Sequence, residues 1–282
     1  MNMKFMHIKF MRFLRNFSRM YAVKRLPRAS AALSYYLTMT FFPLIICLYT
    51  LLGNSYDKAM SVLSFTEHLM ASETVDFLED FLYYVAENNS LAMMMAGIVV
   101  LLTSASAAVR SLQGTIGELQ GGQRFQGALG YLFSVVFSLL LLAALYFAIL
   151  VMLTGRSVIE RLNQMLPFID ISQSWRYVRF LVLAGIEYVI CLGVYEVSKR
   201  SWDSYSTWPG ALLATVALVG VSIAFSVFID ASTKYPLVYG SLASVILLML
   251  WLYFCCMVIF CGAAVNIVIR DMKARNNYKA IQ

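Results

Sequence analysis

The chain has 282 residues, of which 61% are hydrophobic and only 13% charged, and its mean hydropathy is +0.73. A soluble domain is about half apolar and about a quarter charged. This composition therefore leaves too little polar surface to wet a globular fold, excludes a soluble enzyme, and makes lipid the solvent for most of the chain.

Six spans of about 20 residues with their connections use nearly the whole length. The expectation is an all-α integral membrane protein, a bundle of six transmembrane helices over residues 29–269, with no sizeable soluble domain. Residues 1–28 carry eight Lys or Arg (Lys4, Lys9, Arg12, Arg15, Arg19, Lys24, Arg25, Arg28) and no acid, interleaved with Phe5, Met6, Phe10, Phe13, Leu14 and Phe17. Without an uninterrupted apolar core or a small-residue cleavage site, the segment does not read as a signal peptide. Its pattern fits a basic amphipathic helix lying among inner-leaflet headgroups, cations on anionic lipid and the apolar face below. A nucleic-acid-binding arm is the alternative; it is set aside because basic juxtamembrane residues are expected of any cytoplasmic flank.

The first span is read at about 29–52, uncharged, with Pro43 well inside, where the ring removes a backbone donor and predicts a kink. Residues 54–89 are too acidic to cross: Asp57, Glu67, Glu73, Asp76, Glu79, Asp80 and Glu87. Within them Leu78, Phe81, Leu82 and Val85 recur at helical spacing, predicting an amphipathic helix from near Ser72 that forms an extracytoplasmic cap between the first two spans. The second span, about 91–109, ends in the small-residue run Ser104 to Ala108, which permits close backbone approach. A glycine-rich turn with Gly114, Gly117, Gly121 and Gly122 is expected next; it lacks the lysine and hydroxyl of a phosphate loop.

The third span is placed at about 128–154. A polar loop at 155–176 follows, with an amphipathic stretch containing Val158, Ile159, Leu162 and Leu166 before Pro167. The fourth span, about 177–197, holds Glu187 at its middle and Glu196 at its end. The fifth, about 209–229, starts at Pro209, a residue tolerated at a helix beginning. The sixth covers about 239–269, and a polar tail runs from 270 to 282. No internal repeat stands out.

On alternate sides of the membrane the Lys and Arg divide 16 to 6, the larger share lying with the two termini. By the positive-inside rule both ends are cytoplasmic, and the net charge of +7 is accounted for by topology.

Chemistry-bearing residues are sparse. Cys47, Cys191, Cys255, Cys256 and Cys261 all fall in apolar stretches, so neither a disulfide framework nor a metal cluster is read from them. His7 and His68 lie in separate polar regions. No cofactor or metal site and no catalytic constellation is expected. Glu187 is the sharpest candidate, because a carboxylate near the bilayer centre is costly and faces a cavity, a partner or a proton path. Its structural alternative is a neutral side chain bonded to a neighbouring helix. Glu196 is closer to Lys199 and Arg200 and reads as an interfacial ion pair. Trp208, Trp251 and Tyr253 read either as interface anchors or as core aromatics.

Three stretches resemble the YihY/BrkB family of bacterial inner-membrane proteins. They are Arg28-Ala-Ser-Ala-Ala-Leu-Ser-Tyr-Tyr-Leu-Thr-Met-Thr-Phe-Phe-Pro43, Pro209-Gly-Ala-Leu-Leu-Ala214, and Tyr239-Gly-Ser-Leu242 followed by Leu250-Trp-Leu-Tyr253, Gly262-Ala263 and Asn266. The motif positions are thus Tyr35, Tyr36, Pro43, Pro209, Gly210, Tyr239, Gly240, Ser241, Trp251 and Asn266. Two positions depart: Ala264 stands where the closing Gly-Ala-Glu-x-Asn signature has Glu, and Gly117 where Asn is common.

The resemblance implies a multi-pass protein of the bacterial inner membrane, with lipid transport or export suggested for relatives. An older label in the family, a tRNA-processing ribonuclease, finds no clustered His and Asp here. The resulting expectation is a non-enzymatic transporter or exporter of an amphiphilic or lipid-linked envelope substrate, with Glu187, Tyr35, Tyr36 and Pro43 as candidate path residues. A non-transporting scaffold or envelope-assembly partner is the alternative. Membrane lipids are the expected partners, anionic headgroups at the basic N-terminal segment, and nucleic acid is not.

Overall fold

A computed structural model describes residues 3–52, 55–57, 59–61, 72–88, 90–122, 130–147, 175–199, 205–230 and 242–281. Eight helices of three turns or more lie in this part of the chain: α1 Met3–Val23, α2 Leu26–Leu51, α3 Ser72–Glu87, α4 Leu91–Gln120, α5 Gly130–Phe147, α6 Trp175–Ser198, α7 Trp208–Asp230 and α8 Leu242–Ile281. Six of them, α2 and α4 to α8, are long and apolar enough to cross a bilayer. The all-helical, six-span expectation therefore holds.

Helix α8 is the central element, packing against α7, α2, α1, α3 and α4. Its inner face is sealed, with Cys256, Phe260 and Ala264 completely buried. Helix α4 lies along α2 as its main partner, and the small residues Ala105, Ser106 and Ala108 are buried at this level as the sequence implies. Hydroxyls within the bundle are largely satisfied by their own helices. Ser30, Ser34, Thr38 and Thr40 each donate to a carbonyl three or four residues earlier in α2, at 2.7–3.0 Å. Between helices, the hydroxyls of Ser106 on α4 and Ser138 on α5 lie 3.4 Å apart.

Helix α3 begins at Ser72, as its periodicity predicts; it buries Leu78, and it packs Leu82 and Val85 beside Tyr49 and Leu52 at the C-terminal end of α2. Its opposite face exposes Tyr83 and Tyr84; the Tyr83 hydroxyl donates to Glu87 Oε1 at 2.6 Å.

Several boundaries differ from the sequence reading. Helix α4 does not stop at Val109 but runs on to Gln120, so Gly114 and Gly117 are helical and not in a turn. The turn starts at Gly121, whose φ of 84° is the left-handed region glycine adopts without penalty. There Gly121 N donates to Glu118 O at 3.2 Å and Gly122 N to Gly117 O at 2.8 Å, closing the helix. Packing of buried Ile116, Gly117, Leu119 and Gln120 against neighbours outweighs glycine's helix penalty of about 1 kcal/mol. The polar tail is likewise helical, continuing α8 to Ile281. Helix α2 is continuous through Pro43, which is buried. Of the polar stretch at 155–176, Trp175 and Arg176 open α6 and residues 155–174 lie outside the described residues, as do both ends of the third span and Tyr239, Gly240 and Ser241.

Arg25 joins α1 to α2 in a left-handed conformation, φ 50° and ψ 47°, and its carbonyl accepts from Arg28 N and Ala29 N. The elbow buries Leu26 completely and sets Pro27 in the first turn of α2. A non-glycine residue in this conformation costs about 1 kcal/mol. Arg25→Gly is therefore expected to stabilise the purified protein by about 1 kcal/mol in denaturant titration. An unchanged or lowered midpoint would mean that the arginine side chain offsets the strain.

Candidate functional site

Pro209, Gly210, Gly262 and Asn266, dispersed in the sequence, come together where α7 starts against α8. Thr207 precedes the first turn of α7, Pro209 removes one donor that this turn would leave unpaired, and the next donor, Gly210 N, is capped from another helix. Asn266 on α8 performs the capping: its Oδ1 accepts from Gly210 N at 2.7 Å and its Nδ2 donates to Thr207 O at 2.9 Å. Glycine is required at 210 because a Cβ there would collide with the Gly262 carbonyl and come within 2.5 Å of Asn266 Nδ2. The reciprocal constraint holds at Gly262, where a Cβ would lie 2.5 Å from Tyr195 Oη and 2.7 Å from Gly210 O. Tyr195, buried on α6, donates its hydroxyl to Ile259 O at 2.7 Å. Three helices are thus locked at one crossing.

A more polar layer surrounds this crossing. Thr207 Oγ1 donates to Glu196 Oε2 at 2.7 Å, and Lys199 Nζ sits 2.8 Å from Glu196 Oε1. With Glu196 half exposed, this is the interfacial ion pair that its position in the sequence implies. Gln120, at the end of α4, donates through Nε2 to Tyr205 Oη at 3.0 Å. The Lys199 and Arg270 cations lie 5.1 and 5.5 Å from the centroid of the Tyr205 ring. Sequence reasoning missed Tyr195, Thr207, Tyr205 and Gln120. The available signal was the spacing of Gly262 and Asn266, one helical turn apart on one face of an apolar helix.

The candidate path residues do not gather at this crossing. Glu187 is half-buried in the middle of α6, in the electrostatic neighbourhood of Cys191, one turn on, and of Cys255 on α8. Among the described residues no side chain hydrogen-bonds or pairs with it. Tyr35 is 49% exposed on the outer surface of α2, while Tyr36, 5.6 Å away ring to ring, packs against the main core. Trp251 is a core aromatic, set against Phe225 and Leu247, and its indole N–H has no acceptor among the described residues. Trp208 is exposed at the start of α7. Ala264, at the departing signature position, is fully buried, and Gly117 is buried too. Among the described residues no group of three or more His, Cys, Asp and Glu is placed to hold a metal ion.

Six apolar spans and an interhelical crossing built from Gly210, Gly262 and Asn266 define a multi-pass helical membrane protein. Residues 17–281 match the family described as Virulence factor BrkB. The chain belongs to that family, as its three motif stretches imply.

Among curated relatives, YfkH of Bacillus subtilis (strain 168), named a ribonuclease-like protein, is 24% identical over 269 residues, covering 93% of this chain and 97% of its own. A UPF0761 membrane protein of Alteromonas mediterranea is 24% identical over 240 residues, 82% of this chain and 78% of its own. Another UPF0761 membrane protein, of Verminephrobacter eiseniae, is 25% identical over 185 residues, 64% of this chain and 42% of its own. No solved structure matches the chain.

Proposed function

We propose that this protein is a transporter or exporter of an amphiphilic or lipid-linked envelope substrate, set in the bacterial cytoplasmic membrane with both termini inside. The observation that carries the reading is Glu187, a carboxylate midway along an apolar span, half-buried and without a hydrogen-bond partner among the described residues. A group that is so expensive to hold in lipid is retained where it meets a substrate or a proton. The orientation is supported by the 16 to 6 division of Lys and Arg and by α1 packing on the end of α8, which puts the basic segment and the basic tail on one side. The acidic helix α3 then belongs to an external cap, and the segments 1–28, 29–269 and 270–282 are the inner arm, membrane domain and inner tail.

Reconstitution in liposomes with candidate envelope lipids tests the reading. Translocation faster than in protein-free vesicles is the expected result, and equal rates across those lipids would count against it. In the proton-coupled form, Glu187→Gln abolishes the pH dependence of the rate while leaving the protein folded. Retained pH dependence would remove Glu187 from the mechanism.

A second reading, a membrane scaffold or envelope-assembly partner, draws on Tyr83 and Tyr84, exposed side by side among the acids of α3. Crosslinking in native membranes separates the two, since a scaffold yields a stoichiometric protein partner. Nuclease activity, suggested by the name of one relative, is not part of the proposal. RNA turnover by the purified protein, lost on a point substitution, would reverse that position.

A further inference from the structure

Where α1 crosses the far end of α8 the structure leaves a crevice of 480 Å³, bounded on one side by Asn16, Arg19, Met20 and Lys24 and on the other by Val268 and Asp271. Its volume falls within the range of small-ligand pockets, about 300–1,000 Å³. Its chemistry is divided by depth of the chain in the membrane. On α8 the apolar run ends at Ile269 and polar sequence begins at Arg270, so the crevice straddles the level at which the bundle passes from hydrocarbon to headgroups.

Charge in the crevice is unbalanced. Asp271, its acid, already has Arg270 Nε 3.0 Å from its Oδ1. Arg19 and Lys24 have no ion-pair partner among the described residues, which leaves two cations beside the apolar side chains of Met20 and Val23. Helix α1 is also held there as a wall: Phe17, Met20 and Tyr21 pack on the main core, Val23 is exposed within the crevice, and Met11 and Leu14 are exposed among the cations nearer the helix N-terminus, a face suited to dipping into a leaflet.

We propose that this crevice is a binding site for the headgroup of one anionic phospholipid, its phosphate on Arg19 and Lys24 and the first part of its glycerol and acyl region on Met20 and Val23. The site narrows the general attraction of a basic segment for an anionic surface to one place and one lipid. It does not depend on transport, because binding is read at equilibrium without a gradient, and its failure leaves the transport reading untouched.

The test is native mass spectrometry of the full-length protein, released from detergent and titrated with phosphatidylglycerol, phosphatidylcholine or inorganic phosphate. The expected result is one phosphatidylglycerol retained in preference to phosphatidylcholine and not displaced by millimolar phosphate. Removing both cations, Arg19→Ala with Lys24→Ala, should weaken that adduct about 30-fold, each cation near a headgroup contributing about fivefold. The pair Arg12→Ala with Arg15→Ala removes equal charge from the same helix outside the crevice and should weaken it less than about twofold. Arg19→Lys with Lys24→Arg, which keeps charge, should retain binding and guards against a folding defect. Equal loss in the two alanine pairs, no preference over phosphatidylcholine, or displacement by phosphate alone would each overturn the proposal.

Discussion

Replacing Gly262 by alanine is expected to destabilise the protein by about 2 kcal/mol. In an open helical position the same change gains up to about 1 kcal/mol, because alanine is the better helix former. At Gly262 the added Cβ meets Tyr195 Oη at 2.5 Å and Gly210 O at 2.7 Å, and neither is the free end of a flexible chain. Overpacking of this kind costs about 3 kcal/mol when backbone has to move, so the contact outweighs the propensity gain. Gly220 on α7 supplies the internal control: a Cβ added there would meet nothing within 4 Å, and Gly220→Ala should be neutral or stabilising. Loss of helical circular dichroism against denaturing detergent would report both. Equal midpoints for the two variants would mean that the α7–α8 crossing relaxes freely, contrary to its geometry.

The second large effect is expected at Asn266. Changing it to leucine keeps the branched shape and removes both capping bonds, leaving the buried Gly210 N–H and one acceptor position on Thr207 O without their partner. An orphaned buried donor costs about 1–3 kcal/mol, and the lost charge-neutral bonds add to it, so Asn266→Leu should lower stability by about 3 kcal/mol. Because Asn266 and Gly210 touch, the double variant Asn266→Leu with Gly210→Ala should fall short of the sum of its singles, by about 1 kcal/mol or more. Strict additivity in the same detergent titration would show that the two residues do not act through one contact.

The architecture was legible because lipid imposes a one-dimensional rule: apolar runs of bilayer length become helices, and this rule located all six spans. Local chemistry was legible too. Ser72 began α3, Pro209 lay in the first turn of α7, and Glu196 paired with Lys199, because each of these depends on neighbours a few residues away. What was not legible depends on contacts between distant residues. Gly210 and Asn266 are 56 positions apart, and no periodicity within either helix shows that one caps the other. Gly114 and Gly117 read as a turn since glycine is a weak helix former, yet burial at the end of α4 overrides a penalty of about 1 kcal/mol. Tyr35 and Tyr36 are adjacent in a motif and similar in chemistry, but one helical step sends the first outward and the second toward the core. Among the motif positions Pro209, Gly210 and Asn266 are parts of a helix crossing, which separates them from Glu187 as a functional candidate.

Ser34, Thr38, Thr40 and Thr50 of α2 donate to carbonyls of their own helix, whereas Gly210 and Tyr195 depend on α8. That division sets an order for biogenesis. As the chain emerges from the ribosome, the early spans can enter lipid one at a time with their polar groups already settled. Helix α8 is made after α6 and α7, and it brings Asn266 and the Ile259 carbonyl with it. Until it arrives Gly210 N and the Tyr195 hydroxyl are without the partners that hold them in the finished bundle.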